Sequence, residues 1–258
     1  MPPARRPTAA TRRTRTGTED KRMGLVCDGA VRAVLCTASE PLAERLRGML
    51  LRWAVGECVS LTAEQTDCIP APESGSAQLL FLDLDSVELP EQGRLEKQKT
   101  GLIVISRDAG RAIRSYRWHP AALLKPDFDA RRLAEALNAC EKHWRHGRVC
   151  LESPYRRRGF RLPLGSVRFV EAAAHYTVFD QGRQSVRIRY AINELEALLP
   201  SPPFARCHRS YLVHLDAVEG MTYTTLTLKD GTVLPLGRTY IQPLREALLA
   251  RRGEETQT

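Results

Sequence analysis

Leu79-Leu80-Phe81-Leu82-Asp83-Leu84 is an apolar run broken by one carboxylate. A run with no polar alternate is a strand buried on both faces, and such strands belong to parallel sheets covered by helices. Val31–Cys36 and Leu102–Ser106 read the same way, and Ala121–Leu124 is a shorter copy stopped by Lys125-Pro126. Between these runs the period is helical. Ser39 stands in a capping position before Pro41, and Leu42, Leu46, Met49, Leu50 and Trp53 fall on one face. A last helix is expected from Asp129, with Leu133, Leu137, Cys140 and Trp144 inward. Residues 25–145 therefore predict an α/β domain: a parallel sheet with helices on both faces.

The texture then changes. Residues 146–160 hold Arg148, Arg156, Arg157 and Arg158, break all periodicity, and read as a linker. Beyond it, over 161–253, short strands dominate: Val167–Glu171, Tyr176–Phe179, Ser185–Arg189, Leu212–Leu215, Thr225–Leu228 and Val233–Leu236. Lys229-Asp230-Gly231-Thr232 is a hairpin signal. Helices are expected over Ala191–Leu199 and from Tyr240 to Ala250. This half is mainly β.

A chain of 258 residues accommodates two such domains. Its formal charge of +9 is uneven. Residues 1–24 hold seven Lys/Arg against two Asp/Glu, residues 25–148 hold 17 of each, and residues 149–258 hold 15 against 11. An acidic partner would meet the tail and the second domain. Residues 1–24 have almost nothing to bury and read as a disordered basic tail. The seven cysteines are scattered singly, with no CxxC, which fits reduced thiols in a cytoplasm. No run approaches the roughly 18 apolar residues of a membrane span, so no membrane partner is expected.

Phe204-Ala205-Arg206-Cys207-His208-Arg209-Ser210-Tyr211-Leu212-Val213-His214 is the densest chemistry in the chain. Two guanidiniums, two imidazoles and two hydroxyls precede an apolar stretch. Arginine forks onto guanine O6 and N7, and charged donors suit phosphates. The plain alternative is a solvated loop that runs into a strand.

The first half resembles the flavodoxin-like receiver domain of response regulators. The strand–helix order, Asp83 at a strand end and Lys125-Pro126 after a short strand carry the resemblance. It implies that Asp83 occupies the phosphoacceptor position, that Ser106 and Lys125 would attend the phosphoryl group, and that Pro126 follows a cis bond. The sequence departs from the family at the Mg²⁺-binding acids: Ala38 and Ser39 stand there. Mg²⁺ needs carboxylate oxygens, so the acceptor is expected to be vestigial and a cognate kinase doubtful. Dimerisation through this domain, or the binding of another signal, is the expected role.

The second half resembles the LytTR DNA-binding domain. The blocks are Gly165 to Ala172, His175-Tyr176-Thr177-Val178, Ile192 to Glu196, Phe204 to Leu215, and Leu234-Pro235-Leu236-Gly237-Arg238, in family order. The resemblance implies loops entering successive major grooves of promoter DNA at direct repeats. Carried over residue by residue, His175, Arg209 and Arg238 are the base readers. Arg168, Arg187, Arg206, His208 and Ser210 are expected to contact phosphates or support the readers. His214 stands where the family commonly has Asn.

Other classes find thinner support. The chain has no glycine-rich phosphate loop, no HExxH and no nucleophile elbow, so no enzyme and no cofactor are expected. Cys140, His143, His146 and Cys150 are loosely spaced like zinc ligands, but Cys140 reads as buried helix face, and no metal is expected. Two alternatives to a transcription regulator remain. One is a signalling adaptor acting through the receiver-like domain. The other is a redox switch at Cys207, its thiolate favoured by Arg206 and His208.

Overall fold

The computed structural model describes residues 23–70, 77–88, 100–153 and 160–256. Most of the expected basic tail, residues 1–22, lies outside them.

In chain order the first half comprises β1 (Gly24–Val26), β2 (Val31–Cys36), α1 (Glu40–Gly56), β3 (Leu61–Thr66), β4 (Leu79–Asp83), β5 (Gly101–Ile105), α2 (Ala109–Ser115), β6 (Ala122–Leu124), α3 (Ala130–Ala139) and α4 (Glu141–Trp144). Five of these strands form one parallel sheet in the order β3-β2-β4-β5-β6. Counted from β2, this is the 2-1-3-4-5 order of flavodoxin-like sheets, in which ligands meet the carboxyl ends of the strands. The parallel sheet is what the apolar runs predict, and its strand order is the receiver-like one that the resemblance implies.

Its two faces are covered differently. Leu35, Phe81 and Ile103 point to one face and pack under α1 and α3, with Leu46, Leu50, Leu133 and Trp144. Trp53 meets Trp144 edge-on, their ring centroids 4.8 Å apart. Val34, Leu80, Leu82 and Val104 point to the other face, against Ile69, Ala77, Val87 and Trp118. Trp118 lies in the 3₁₀ turn Tyr116–Trp118 that follows α2. Each fully buried Leu or Phe contributes about 1.5–3 kcal/mol relative to exposure.

Several expectations are corrected. Strand β3, Leu-Thr-Ala-Glu-Gln-Thr, is missing from the sequence reading because it is a half-exposed edge with one strongly apolar residue, Leu61. Ser39 is the N-cap of α1 but makes no side-chain cap bond; its N–H instead donates to the Thr37 hydroxyl at 3.0 Å. The cis bonds among the described residues are Ser201–Pro202 and Pro202–Pro203, not the bond before Pro126. The Pro126 carbonyl accepts from Arg45, and Phe128 N–H donates to Lys125 O at 3.0 Å, closing the turn into α3.

The expected linker 146–160 also differs. It contains strand β7 (Cys150–Ser153), and Phe160 opens β8 (Phe160–Pro163). β1, β7 and β8 make a three-stranded antiparallel sheet, with Leu25 opposite Leu151 and Leu151 opposite Leu162. Met23, Leu151 and Leu162 are buried in the core of the second half. The signal was hidden because arginines flank two isolated leucines whose partner strand lies at the other end of the first domain. Residues 154–159 lie outside the described residues.

The second half continues with β9 (Phe169–Ala173), β10 (Tyr176–Asp180), β11 (Ser185–Ile188), α5 (Ile192–Leu198), β12 (Phe204–His208), β13 (Tyr211–His214), β14 (Val218–Met221), β15 (Thr225–Leu228), β16 (Val233–Pro235) and α6 (Ile241–Thr256). One antiparallel sheet runs β11-β10-β9-β13-β12 and another β14-β15-β16. The larger sheet buries Val170, Phe179 and Leu212 against Leu195 and Leu199. Its other face buries Cys207 and Val213 with Leu226, Leu228 and, from α6, Leu244 and Leu248.

The domains touch at the end of α1. His214 Nε2 contacts the Gly56 carbonyl at 3.0 Å, and its Nδ1 accepts from Asp216 N–H at 3.3 Å. That second bond puts the ring proton on Nε2, which donates to Gly56. Arg251 donates to the Arg52 carbonyl at 3.0 Å and grips Asp216 with two bonds of 2.8 Å. At the end of α1 the Arg52 and Gly56 carbonyls are thus met by the other domain, while those of Trp53, Ala54 and Val55 accept from Glu57, Val59 and Cys58 N–H.

Candidate nucleic-acid interface

Four turns of the β-rich domain gather at one end of its sheets. Ala173 pairs with Tyr176, so Ala174-His175 is a two-residue turn, with Ala174 at φ 54°. His208 pairs with Tyr211, so Arg209-Ser210 is a second such turn. Tyr211 lies opposite Glu171, and Ala172 N–H donates to Ser210 O at 2.8 Å, which sets the two turns side by side. Gly237 N–H donates to Cys207 O at 2.9 Å and brings Arg238 to the same end. Leu236 N–H donates to Thr224 O at 2.8 Å and adds the Thr222–Thr225 turn, with Tyr223 exposed.

His175, Arg209 and Arg238, expected as readers, are all exposed at this end. Arg187 is exposed and lies 3.9 Å over the Tyr176 ring. Two members were missed by the sequence reading: Arg189, exposed just past β11, and Tyr223, 78% exposed. Lone arginines and tyrosines carry no pattern, and only the register reveals their place.

Of the residues expected to contact phosphates or support the readers, Arg206, Arg168 and His208 are engaged within the domain. Only 7% of the Arg206 side chain is exposed. It donates to Glu196 at 2.6 Å, to the His208 carbonyl at 2.7 Å and to Asn193 Oδ1 at 3.2 Å, and it also holds the Arg209 carbonyl. With four of its five N–H groups engaged, it clamps the Arg209 turn, the supporting role of the two expected for it. Arg168 is likewise spent on Asp180, at 2.5 Å, and on Asp230. His208 accepts from Ser210 N–H at 3.2 Å through Nδ1 and shapes the same turn.

Cys207 is fully buried, and burial pushes its thiol up to about 12. This contradicts the expected thiolate: β12 turns the sulfur into the core, away from the two cations flanking it in sequence. Cys140 is buried as expected, its thiol pushed up by burial to about 11. Among the described residues, no three His, Cys, Asp or Glu side chains lie where they could hold a metal.

At the carboxyl end of β4, Asp83 is 3% exposed. Its oxygens accept from the Thr37 and Ser86 hydroxyls at 2.7 Å each and from Asp85 N–H at 3.0 Å. Ser106 donates to Asp85 at 2.8 Å rather than facing Asp83, and Lys125 is exposed.

The comparisons with known proteins agree with the β-rich half. Residues 157–249 match the family model of the LytTr DNA-binding domain. This part of the chain is a LytTR-type DNA-binding domain, joined to a receiver-like domain. Over 241 residues the chain is 25% identical to the transcriptional regulatory protein BtsR of Escherichia coli K12, covering 83% of this chain and 98% of that protein. The Salmonella typhi BtsR is 24% identical over 245 residues, with the same coverage. Among solved structures, a LytTr DNA-binding domain from Bacillus cereus is 25% identical, covers 38% of this chain and 95% of that one, and has a TM-score of 0.34. A response regulator receiver protein from Burkholderia phymatum is 16% identical, covers 42% and 93%, and has a TM-score of 0.32. No helix among the described residues is long and apolar enough to cross a membrane.

Proposed function

We propose that this chain is a sequence-specific DNA-binding transcription regulator, read out through His175, Arg209 and Arg238. The observation that carries this is the clamped Arg209 turn, set beside the His175 turn and next to Arg238 at one sheet end. Arginine on a rigid turn can present a fixed fork to guanine in the major groove. Arg187 and Arg189, on the same end, supply phosphate contacts, which position without reading. The similarity to BtsR regulators over most of the chain supports the same reading.

Control is not by Mg²⁺-dependent phosphorylation of Asp83. Ala38 and Ser39 replace the acids a receiver uses for Mg²⁺, and the Asp83 carboxylate is already hydrogen-bonded by two hydroxyls. The receiver-like domain serves dimerisation instead. Ile113 and Tyr116, 67% and 59% exposed on and just after α2, offer an apolar patch for a second copy.

In vitro selection from random duplexes with the full chain tests the reading. Enrichment of one short guanine-bearing motif, repeated about a helical turn apart, is expected. Recovery of unrelated sequences at every round would refute it.

A further inference from the structure

We propose that the cleft between the two domains binds a small organic anion that carries a flat ring. The cleft is about 890 Å³, in the size range of small-molecule sites. The first domain contributes Arg45, Arg52, Trp53 and Phe128, and the second contributes Lys229 and the Asp216–Arg251 pair.

The charge in this cleft is unbalanced. Arg52 and Lys229 form no salt bridge among the described residues. Arg45 lies 5.0 Å over the Phe128 ring, and its Nε is buried without a hydrogen-bond partner. A buried guanidinium N–H without an acceptor is costly, and the incompletely paired Arg45 cation favours an anion at this wall of the cleft. The carboxylates present do not fill this role. Asp216 is gripped by Arg251, Asp129 caps α3 through Arg132 N–H, and Asp127 is exposed at the rim. Arg131, also on the wall, is paired with Glu135. Trp53, half-buried in the wall, supplies an aromatic face for the ring. A ligand there bridges both domains and stabilises their docking by mass action. None of this depends on the DNA reading.

The test is calorimetric titration of the full chain with 1-naphthyl phosphate, beside inorganic phosphate and 1-naphthol. A saturable single-site isotherm is expected, with phosphate and naphthol each weaker by about tenfold or more. Lys229→Glu and Arg52→Glu should each weaken it by about tenfold, while Arg114→Glu, the same charge change on exposed α2, should leave it unaltered. Thermal unfolding checks that each variant is folded; if Arg52→Glu is not, Lys229→Glu on its exposed hairpin decides. No saturable heat, equal binding of bare phosphate, or equal loss in Arg114→Glu would each overturn the proposal.

Discussion

Arg206 holds the backbone of Arg209: its guanidinium donates to the Arg209 carbonyl while Glu196 fixes its other arm at 2.6 Å. A cation that looks like a DNA ligand in the sequence is instead the part that makes its neighbour rigid. Arg209→Ala should therefore cost about 1–3 kcal/mol on the selected motif and almost nothing on random duplex. Arg206→Ala should also erode discrimination, although its side chain touches no base, because the turn loses its brace and Glu196 its partner. Fluorescence anisotropy on both duplexes separates the two effects. An Arg206→Ala variant that keeps full discrimination would break this link.

The docking of the two domains should be pH-dependent. Burial lowers the His214 pKa, against the raising influence of Asp216 and the Gly56 carbonyl and with a smaller lowering by Arg251 and Lys229. A folded-state pKa below the unfolded value contributes stability that is present above about pH 6.5 and is lost as pH falls through the folded value. Between the two values the unfolded chain binds the proton and the folded chain does not. Denaturant melts of wild type and His214→Asn across pH 5–8 should show a steeper acid loss in wild type. Parallel curves would remove His214 from that role.

Gly165 lies so close to α1 that an added Cβ would overlap the Glu57 carbonyl. Gly165→Ala should lower the melting temperature, because backbone rather than a flexible side chain must move. Gly220→Ala, with open space at the Cβ position, is the matched control. Equal melting temperatures would argue that the domains are not docked at this point.

Native thiol labelling should distinguish the cysteines. Cys27 and Cys68 are exposed, whereas Cys36, Cys58 and Cys207 are buried, each thiol pushed up to about 12 chiefly by burial. Iodoacetamide at neutral pH should modify the first pair and spare the rest, and a Cys27→Ser/Cys68→Ser variant should bind DNA equally with and without peroxide. Rapid labelling of Cys207 would restore the redox reading.

Acetyl phosphate and Mg²⁺ should leave the intact mass unchanged. Phosphoryl transfer to Asp83 would have to displace the hydrogen bonds from Thr37 and Ser86 without the usual acidic metal ligands. A stoichiometric adduct abolished by Asp83→Ala is the contrary result.

Much of this was legible in the chain. Continuous runs such as Leu79–Leu84 declare a buried strand whatever surrounds them, and Lys229 to Thr232 declares a turn. Strands stabilised by distant partners were not legible: β3 is an edge, and β1 meets β7 only across a whole domain. At the candidate interface, residue type marked the side chains with donors suited to DNA, and burial separates the occupied from the exposed. Arg206 and Arg168 are occupied, whereas Arg209 and Arg238 are exposed.

The most direct measurement is methylation interference at guanine N7 on the selected duplex. Groove reading by Arg209 predicts that methyl groups at one or two guanines block wild type, and that Arg209→Ala is indifferent at one of those positions. If methylation at no guanine weakens binding, the sheet end described above does not read bases.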